Sequence, residues 1–297
     1  MQHGELELVI DAKATLGEGP AWDNVCQCLY WVDIFERQVH VYAPESLCQR
    51  TICLNEYVSS VVPSEPGQVI VTLQHGFYRL NLETGAVSTL AIAEDSRDDI
   101  RFNDGKCDAA GRFWAGTMST RDERYQGILY CLDSNLNLIE MIRGVSTSNG
   151  LAWSPDSRTM YYIDTPTGEI MAYDYCLETG TIENPRVAVR IPVETGLPDG
   201  MTTDSEGCLW IAHWGGGRAS RWNPHSGDLL DEVHVPASLV TSCVFGGDDL
   251  TDLYITTART GLDDAQLAEQ PNAGGLFRVA TTVGGLLTYR FQGSSRL

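Results

Sequence analysis

The order of apolar and polar residues along the chain predicts pairs of short strands joined by tight turns. Polar Asn149 precedes an apolar run, a Ser-Pro-Asp-Ser turn at 154–157 and a second apolar run at 160–163. Short apolar runs separated by turn-forming residues are typical of antiparallel strands. The same order recurs from Asp199 and from Asn103. The chain therefore contains an internal repeat.

Three weaker copies complete a set of six, spaced 41 to 50 residues apart. The copies begin at Glu18, Ser59, Asn103, Asn149, Asp199 and Ser242. Each continues into a third apolar run, and a more polar segment such as 186–191 predicts a fourth strand. A repeat of about 40 to 50 residues with four strands is typical of a propeller blade. We therefore predict an all-β fold: one domain over residues 1–297, a six-bladed β-propeller of four-stranded antiparallel blades around a central channel.

Closure of this ring leaves two candidates for the missing strand of the last blade. Residues 5–11 and residues 286–291 could each complete it, and the pattern does not choose between them. Segment 263–269 is the one helical turn that the sequence favours. No stretch has the sustained helical periodicity that a Rossmann fold or an α/β barrel would need.

Composition limits the partners of this domain. The 297 residues include 40 acidic and 20 basic side chains, a formal net charge of −20. This charge repels nucleic acids and anionic membranes, and no apolar run approaches the ~20 residues of a membrane helix. Nine scattered cysteines indicate reduced thiols, and the amino terminus has no signal-peptide pattern. We expect a cytoplasmic monomer that binds neither nucleic acid nor membrane.

The six aligned starting positions would line the channel, because the first strand of each blade faces the propeller axis. Two of them, Glu18 and Asp199, are carboxylates that would repel each other there without a proton or a cation. Together with the amide oxygen of Asn149 they form a set of hard oxygen donors. Glu18, Asn149 and Asp199 are therefore predicted to bind one divalent metal ion. Ca²⁺, Mg²⁺ or Mn²⁺ suits these donors, and Zn²⁺ or Fe²⁺ stays open.

Five short motifs at these positions resemble the regucalcin (senescence marker protein) and gluconolactonase family. They are RFNDGK at 101–106, AGTM at 115–118, SNGL at 148–151, PDGM at 198–201 and TSC at 241–243. The resemblance runs from about Leu16 to the carboxyl terminus. It implies a six-bladed propeller with a central metal, bound by Glu18, Asn149 and Asp199, that hydrolyses sugar-acid lactones.

The same resemblance implies roles for residues around the metal. Arg101 and Asn103 would face the substrate, and Asp199 would be the general base. The family often carries acidic residues after Met118, in a loop that covers the substrate. This chain reaches its first acids a few residues later, and Glu123 is the candidate substrate contact in that loop.

The expected function is that of a metal-dependent hydrolase opening aldonolactones such as gluconolactone to aldonic acids. The metal would polarise the lactone carbonyl, and Asp199 would assist the attack of water. Two other functions stay open: an organophosphate-type phosphotriesterase and a non-enzymatic calcium-binding regulator. The twelve-residue EF-hand pattern that calcium sensors usually carry is missing from the sequence.

Overall fold

Six sheets of four antiparallel strands surround a central channel, which confirms the predicted six-bladed β-propeller. The computed structural model describes residues 3–293. The chain begins with β1 (Glu7–Ile10). Blades 1 to 3 contain β2 (Gly17–Asp23), β3 (Cys28–Asp33), β4 (Gln38–Ala43), β5 (Cys48–Cys53), β6 (Ser60–Pro63), β7 (Gln68–Thr72), β8 (Gly76–Asn81), β9 (Val87–Ile92), β10 (Ile100–Cys107), β11 (Phe113–Ser119), β12 (Gly127–Leu132) and β13 (Leu138–Val145). Blades 4 to 6 contain β14 (Ser148–Trp153), β15 (Thr159–Asp164), β16 (Glu169–Cys176), β17 (Thr181–Arg190), β18 (Leu197–Thr203), β19 (Leu209–Trp214), β20 (Arg218–Trp222), β21 (Leu229–His234), β22 (Val240–Gly246), β23 (Asp252–Thr257) and β24 (Leu276–Ala280).

The amino-terminal segment closes the ring. β1 pairs antiparallel with β24, with Glu7 opposite Arg278, so residues 5–11 contain the fourth strand of blade 6. Residues 286–291 form no strand of a blade. Residues 286–289 instead line a small cavity with inner-strand residues of all six blades. This carboxyl-terminal segment therefore covers the far end of the channel.

The hydrophobic core is divided among the six interfaces between neighbouring blades. One cluster packs Tyr30 of blade 1 against Val71 of blade 2, and the next packs Phe77 of blade 2 against Phe113 of blade 3. The series continues around the ring to blades 6 and 1, where the rings of Trp22 and Tyr254 stack with centroids 5.8 Å apart. Each blade thus buries both faces, as a closed propeller requires.

The remaining regular elements are short. Helix α1 (Asp264–Glu269) confirms the predicted helical turn, and the Asp263 side chain caps it by accepting from the backbone N–H of Gln266. Two 3₁₀ turns cover Thr165–Thr167 and Val193–Thr195. Within residues 3–293, none of the helices has the length and apolarity needed to cross a membrane. All nine cysteines are free thiols.

Irregular pairing of the inner strands prepares the site. The register shifts beside Glu18, Asn149 and Ser242, and within the segments of β10 and β18 that contain Asn103 and Asp199. Such bulges bend a strand and change the direction of a side chain, and they are common next to active sites. Five of the six inner strands therefore depart from the regular pleat at the aligned positions.

Two glycines allow neighbouring inner strands to approach closely at this level. A Cβ on Gly150 would lie 2.8 Å from the carbonyl oxygen of Asp199, and one on Gly200 would lie 2.1 Å from the hydroxyl of Ser242. Both distances are shorter than real Cβ contacts. The glycines that follow Asn149 and Asp199 therefore serve blade packing, as their positions in the repeat suggest.

Candidate metal centre and substrate cavity

The six aligned positions are all buried, and each is at most 6% exposed. Four of them, Glu18, Asn103, Asn149 and Asp199, line a cavity of about 540 Å³ at one end of the channel. Its volume lies within the range of ~300–1,000 Å³ that small-molecule sites occupy. Arg101 lines the same cavity, so the structure brings together all three predicted metal ligands and two predicted substrate contacts.

A directed chain of hydrogen bonds crosses the cavity floor. The Arg101 guanidinium donates to Asn103 Oδ1 (2.7 Å), and Asn103 Nδ2 donates to Asn149 Oδ1 (3.1 Å). Asn149 Nδ2 then donates to the Thr165 hydroxyl (2.8 Å), which donates to the carbonyl oxygen of Pro198 (2.9 Å). Because that hydroxyl uses its only proton on a carbonyl, it must accept from an N–H of Asn149. The amide orientation of Asn149 follows from this chain.

The carboxylates of Glu18 and Asp199 complete the floor, and they differ in their hydrogen bonds. Glu18 Oε2 accepts from the backbone N–H of Gly19 (2.8 Å). Asp199 Oδ1 is buried and has no hydrogen-bond partner among residues 3–293. A buried oxygen without a partner loses its hydration at a cost of ~1–3 kcal/mol, more when it is charged. Asp199 is thus placed where it needs a proton or a ligand.

Burial and mutual repulsion disfavour the charged forms of these acids. Burial, followed by the charge of Asp104, raises the pKa of Glu18 from 4.5 to about 8. Burial, followed by the charges of Glu18 and Asp104, raises the pKa of Asp199 well above its usual value. Burial lowers the pKa of Arg101 to about 10, so this guanidinium remains charged at neutral pH. The single charge of Arg101 does not neutralise both Glu18 and Asp199, and Lys106 acts on Asp104 instead.

The donor set fits a divalent cation of the hard class. Within residues 3–293, His, Cys, Asp and Glu side chains form no group of three or more that could hold a metal ion. An ion at this position would therefore need the Asn149 amide oxygen beside Glu18 and Asp199. That oxygen has a second lone pair after accepting from Asn103. Carboxylate and amide oxygens are the ligands that Ca²⁺, Mg²⁺ and Mn²⁺ prefer.

Arg101 belongs to the cavity and not to the surface. It is 5% exposed, donates to the carbonyl oxygen of Phe102 (2.8 Å), and lies over the ring of Phe35 at 5.9 Å. Within the described chain it forms no ion pair; nearby Asp99 is paired with Arg121 instead. The N–H groups that it does not use internally remain available to a ligand.

The loop after β11 lines the mouth of the cavity with residues other than the predicted one. Asp122 and Arg124 belong to the cavity wall. Glu123 is not among the described lining residues. Its charge instead contributes to the raised pKa of the exposed Arg97. The role of Glu123 in binding stays a prediction, and the wall makes Asp122 the nearer acid.

Sequence reasoning overlooked several residues. Asp104 follows Asn103 in β10, so in a regular strand its side chain would point away from the axis. Its charge nevertheless raises the pKa of Glu18 and of Asp199 across the bulge. Thr165 directly follows β15, at the start of a 3₁₀ turn, where only its place in the repeat could have indicated the channel. Lys106 is half-buried, lines the small cavity beside residues 286–289 and donates to the carbonyl oxygen of Met201 (2.6 Å).

The fold and the oxygen-rich cavity define a class: a six-bladed propeller with a ligand site at one end of its channel. The chain belongs to the SMP-30/Gluconolactonase/LRE-like family, whose model matches residues 16–259. The expected family is therefore confirmed, and the chain is a lactonase-like propeller. The match includes every residue predicted for the site.

Individual relatives cover nearly the whole chain. The proposed sugar lactone lactonase YvrE of Bacillus subtilis (strain 168) is 41% identical over 286 residues, which is 96% of this chain and 98% of that protein. Regucalcin of Oryctolagus cuniculus is 38% identical over 295 residues, 97% of this chain and 99% of that protein. The crystal structure of a calcium-binding protein, regucalcin, from Agrobacterium tumefaciens strain C58 is also similar, with a TM-score of 0.93, 26% identity and 97% coverage of both chains.

Proposed function

We propose that this protein is a metal-dependent hydrolase that opens sugar-acid lactones, such as gluconolactone, to aldonic acids. The carrying observation is the buried, unpartnered Oδ1 of Asp199 beside Glu18 and Asn149, in a cavity large enough for a sugar lactone. The relative named as a lactonase supports the substrate class. The proposal includes a cytoplasmic location and a monomeric state.

A divalent ion held by Glu18, Asn149 and Asp199 would supply Lewis acidity to the lactone carbonyl. Asp199 is the proposed general base: its carboxylate takes a proton from the attacking water as the new C–O bond forms. The ring C–O bond then breaks, and the ring oxygen leaves as a hydroxyl after taking that proton from Asp199, while the new carboxylic acid releases the second proton of the water to solvent. The products are one carboxylate and one hydroxyl, which together form an open aldonic acid.

Arg101 and Asn103 are the proposed substrate contacts. Asn103 accepts from one nitrogen of the guanidinium, which lies over the ring of Phe35. The remaining N–H groups form a planar fork that can donate to neighbouring ring hydroxyls. Prior orientation of these donors lowers the entropic cost of binding.

A panel of five- and six-carbon aldonolactones tests the proposal, assayed before and after chelation, with the bound metal identified by elemental analysis. Asp199→Ala should lose metal and reduce kcat by about 10² to 10⁴-fold, the usual contribution of a general base. Asp248→Ala, an exposed acid on a turn, is the matched control and should leave both unchanged. Full activity and full metal content in Asp199→Ala would overturn the proposal.

A non-enzymatic calcium-binding role is the second candidate, because the similar solved regucalcin is described as a calcium-binding protein. The same panel separates the two functions. Calcium binding without turnover of any lactone would favour the second candidate. A phosphotriester assayed beside the panel tests the third function, and its turnover without turnover of any lactone would favour a phosphotriesterase.

A further inference from the structure

Arg124 is a cation at the mouth of the cavity whose guanidinium has no partner among the described residues. Its side chain is exposed and belongs to the cavity wall. Within residues 3–293 no ion pair and no hydrogen bond of its guanidinium is formed. Two other arginines of the same region are paired, Arg97 with Asp95 and Arg121 with Asp99. Arg124 therefore differs from its neighbours in having its donors free for a ligand.

Arg101, the second arginine of the cavity, is not placed to bind a ligand at the mouth. Arg101 is buried, and one of its nitrogens is already used by Asn103 and the Phe102 carbonyl. It also sits on the cavity floor beside the carboxylates, where the reacting end of a substrate would bind. Arg124 instead lies on the loop at the mouth, so it would meet the opposite end of the same molecule.

The charge of the loaded cavity favours an anion. Three carboxylates line it, on Glu18, Asp122 and Asp199, together with the guanidiniums of Arg101 and Arg124. One bound divalent cation leaves this lining with one net positive charge. The chain as a whole carries −20 and would repel an anionic substrate elsewhere on its surface. The carboxylate of Asp122 acts on Arg101 and forms no ion pair of 4 Å or less with Arg124 among the described residues.

The geometry points to Arg124 as a specificity residue that binds an anionic group on the substrate, a carboxylate or a phosphate remote from the lactone carbonyl. The planar guanidinium matches both groups, since each presents two oxygens to its fork. The preferred substrate class would then be acidic sugar lactones over neutral ones. This inference rests on the proposed lactonase function.

Two matched lactones test it. D-glucaro-1,4-lactone and D-glucono-1,4-lactone differ only in the carboxylate or hydroxymethyl group at carbon 6, and 6-phosphogluconolactone is the phosphate arm. Wild type should show a higher kcat/KM for one or both acidic lactones than for the neutral one. Arg124→Gln should reduce that preference about two- to fivefold, as expected for an exposed charge pair. The loss should be smaller at high ionic strength.

Arg121→Gln is the control, because Arg121 lies on the same loop but pairs with Asp99 and is not among the cavity residues. Its preference should equal that of wild type. Equal preferences in Arg124→Gln and wild type, or a preference lost equally in both variants, would overturn the inference.

A binding measurement keeps the inference testable if no lactone is hydrolysed. D-glucarate and D-gluconate differ by the same group, and their dissociation constants can be followed by intrinsic tryptophan fluorescence, because Trp214, one of the seven tryptophans, lines the cavity. Tighter glucarate binding that Arg124→Gln abolishes would support Arg124 even where the lactonase proposal fails. Turnover of lactones without any difference between acidic and neutral members would leave the lactonase and remove the role of Arg124.

Discussion

The side-chain nitrogen of Asn103 donates to the side-chain oxygen of Asn149 across 3.1 Å. Asn103 belongs to blade 3 and Asn149 to blade 4, so a residue of one blade orients a proposed metal ligand of the next. Thr165 fixes the other end of the same amide. The donor oxygen of Asn149 therefore depends on partners that are not metal ligands themselves.

Removal of the Thr165 hydroxyl should weaken metal binding. Thr165→Val leaves Asn149 Nδ2 and the Pro198 carbonyl without their shared partner, and only the bond from Asn103 Nδ2 then orients the amide. Changes of this kind beside a metal ligand typically cost about 10–100-fold in metal affinity. Titration calorimetry with Ca²⁺ and Mn²⁺ measures the loss. Thr167→Val is the control, because Thr167 is exposed and bonds only to its own turn; an equal effect there would contradict the prediction.

The metal-free protein should lose stability as the pH rises. Burial and Asp104 raise the pKa of Glu18 above its unfolded value of 4.5, toward 8. Between those values the folded chain binds more protons than the unfolded chain, so the free energy of unfolding falls with increasing pH. In the presence of a chelator the melting temperature should drop by at least ~3 °C between pH 5 and pH 8.

Saturation with a divalent ion should reverse this trend, because the ion binds the charged forms and stabilises the folded state by mass action. The stabilisation should be larger at pH 8 than at pH 5. Glu18→Gln should flatten the chelated profile. A chelated wild-type protein whose melting temperature rises over this range would show that the buried carboxylates do not control it.

The two acids of the mouth loop should differ in effect. Asp122 lines the cavity, whereas Glu123 acts on Arg97 outside it. Asp122→Asn should therefore change KM for the lactone about two- to fivefold, and Glu123→Gln should change it less. Steady-state kinetics of the pair of variants on one lactone decide the matter. A larger effect of Glu123→Gln would restore the assignment that the family resemblance implies.

His213 should make the fold sensitive to acid without touching the metal. It is buried, its Nδ1 faces the Thr195 carbonyl oxygen (2.9 Å) and its Nε2 the Ser220 hydroxyl. Burial lowers its pKa to about 4, so between pH 4 and 6.5 the unfolded chain binds the extra proton and stability falls with decreasing pH. His213→Gln should lose this contribution and cost ~1–3 kcal/mol at pH 7.5.

Denaturant unfolding at pH 7.5 and pH 5.5 measures both effects of His213. The exposed His225→Gln provides the comparison and should behave as wild type. Metal affinity should be the same in both variants at pH 7.5. If the two variants lose the same stability on acidification, then His213 does not carry the effect.

The ring and its six inner positions could be predicted because the repeat sets them. Each blade repeats one pattern, and superposition of the copies brings Glu18, Asn149 and Asp199 to one level without any knowledge of the fold. The pattern assumes regular strands, however. The bulge in β10 interrupts that alternation, so strict alternation cannot reveal that the charge of Asp104 reaches Glu18 and Asp199.

Other parts of the site depend on contacts that have no period. Arg124 lies in a loop outside the repeat, and its place on the cavity wall is set by how that loop folds back over the mouth. Thr165 matters through a side-chain bond to the next ring position. The choice of residues 5–11 over 286–291 for the last blade depended on which end could reach β24, which a local pattern does not encode.

The pairing of β1 with β24 also makes the proposed metal centre dependent on how the ring of blades is closed. Glu7 and Arg278 are paired although almost the whole sequence separates them. Hydrogen bonds between two strands therefore close the ring, and no covalent link does. Only six residues connect β1 to β2, the strand that carries Glu18. Loss of the pairing between β1 and β24 would open the ring between blades 6 and 1. Glu18, on the strand next to that opening, would then be the first of the three proposed ligands to separate from the other two.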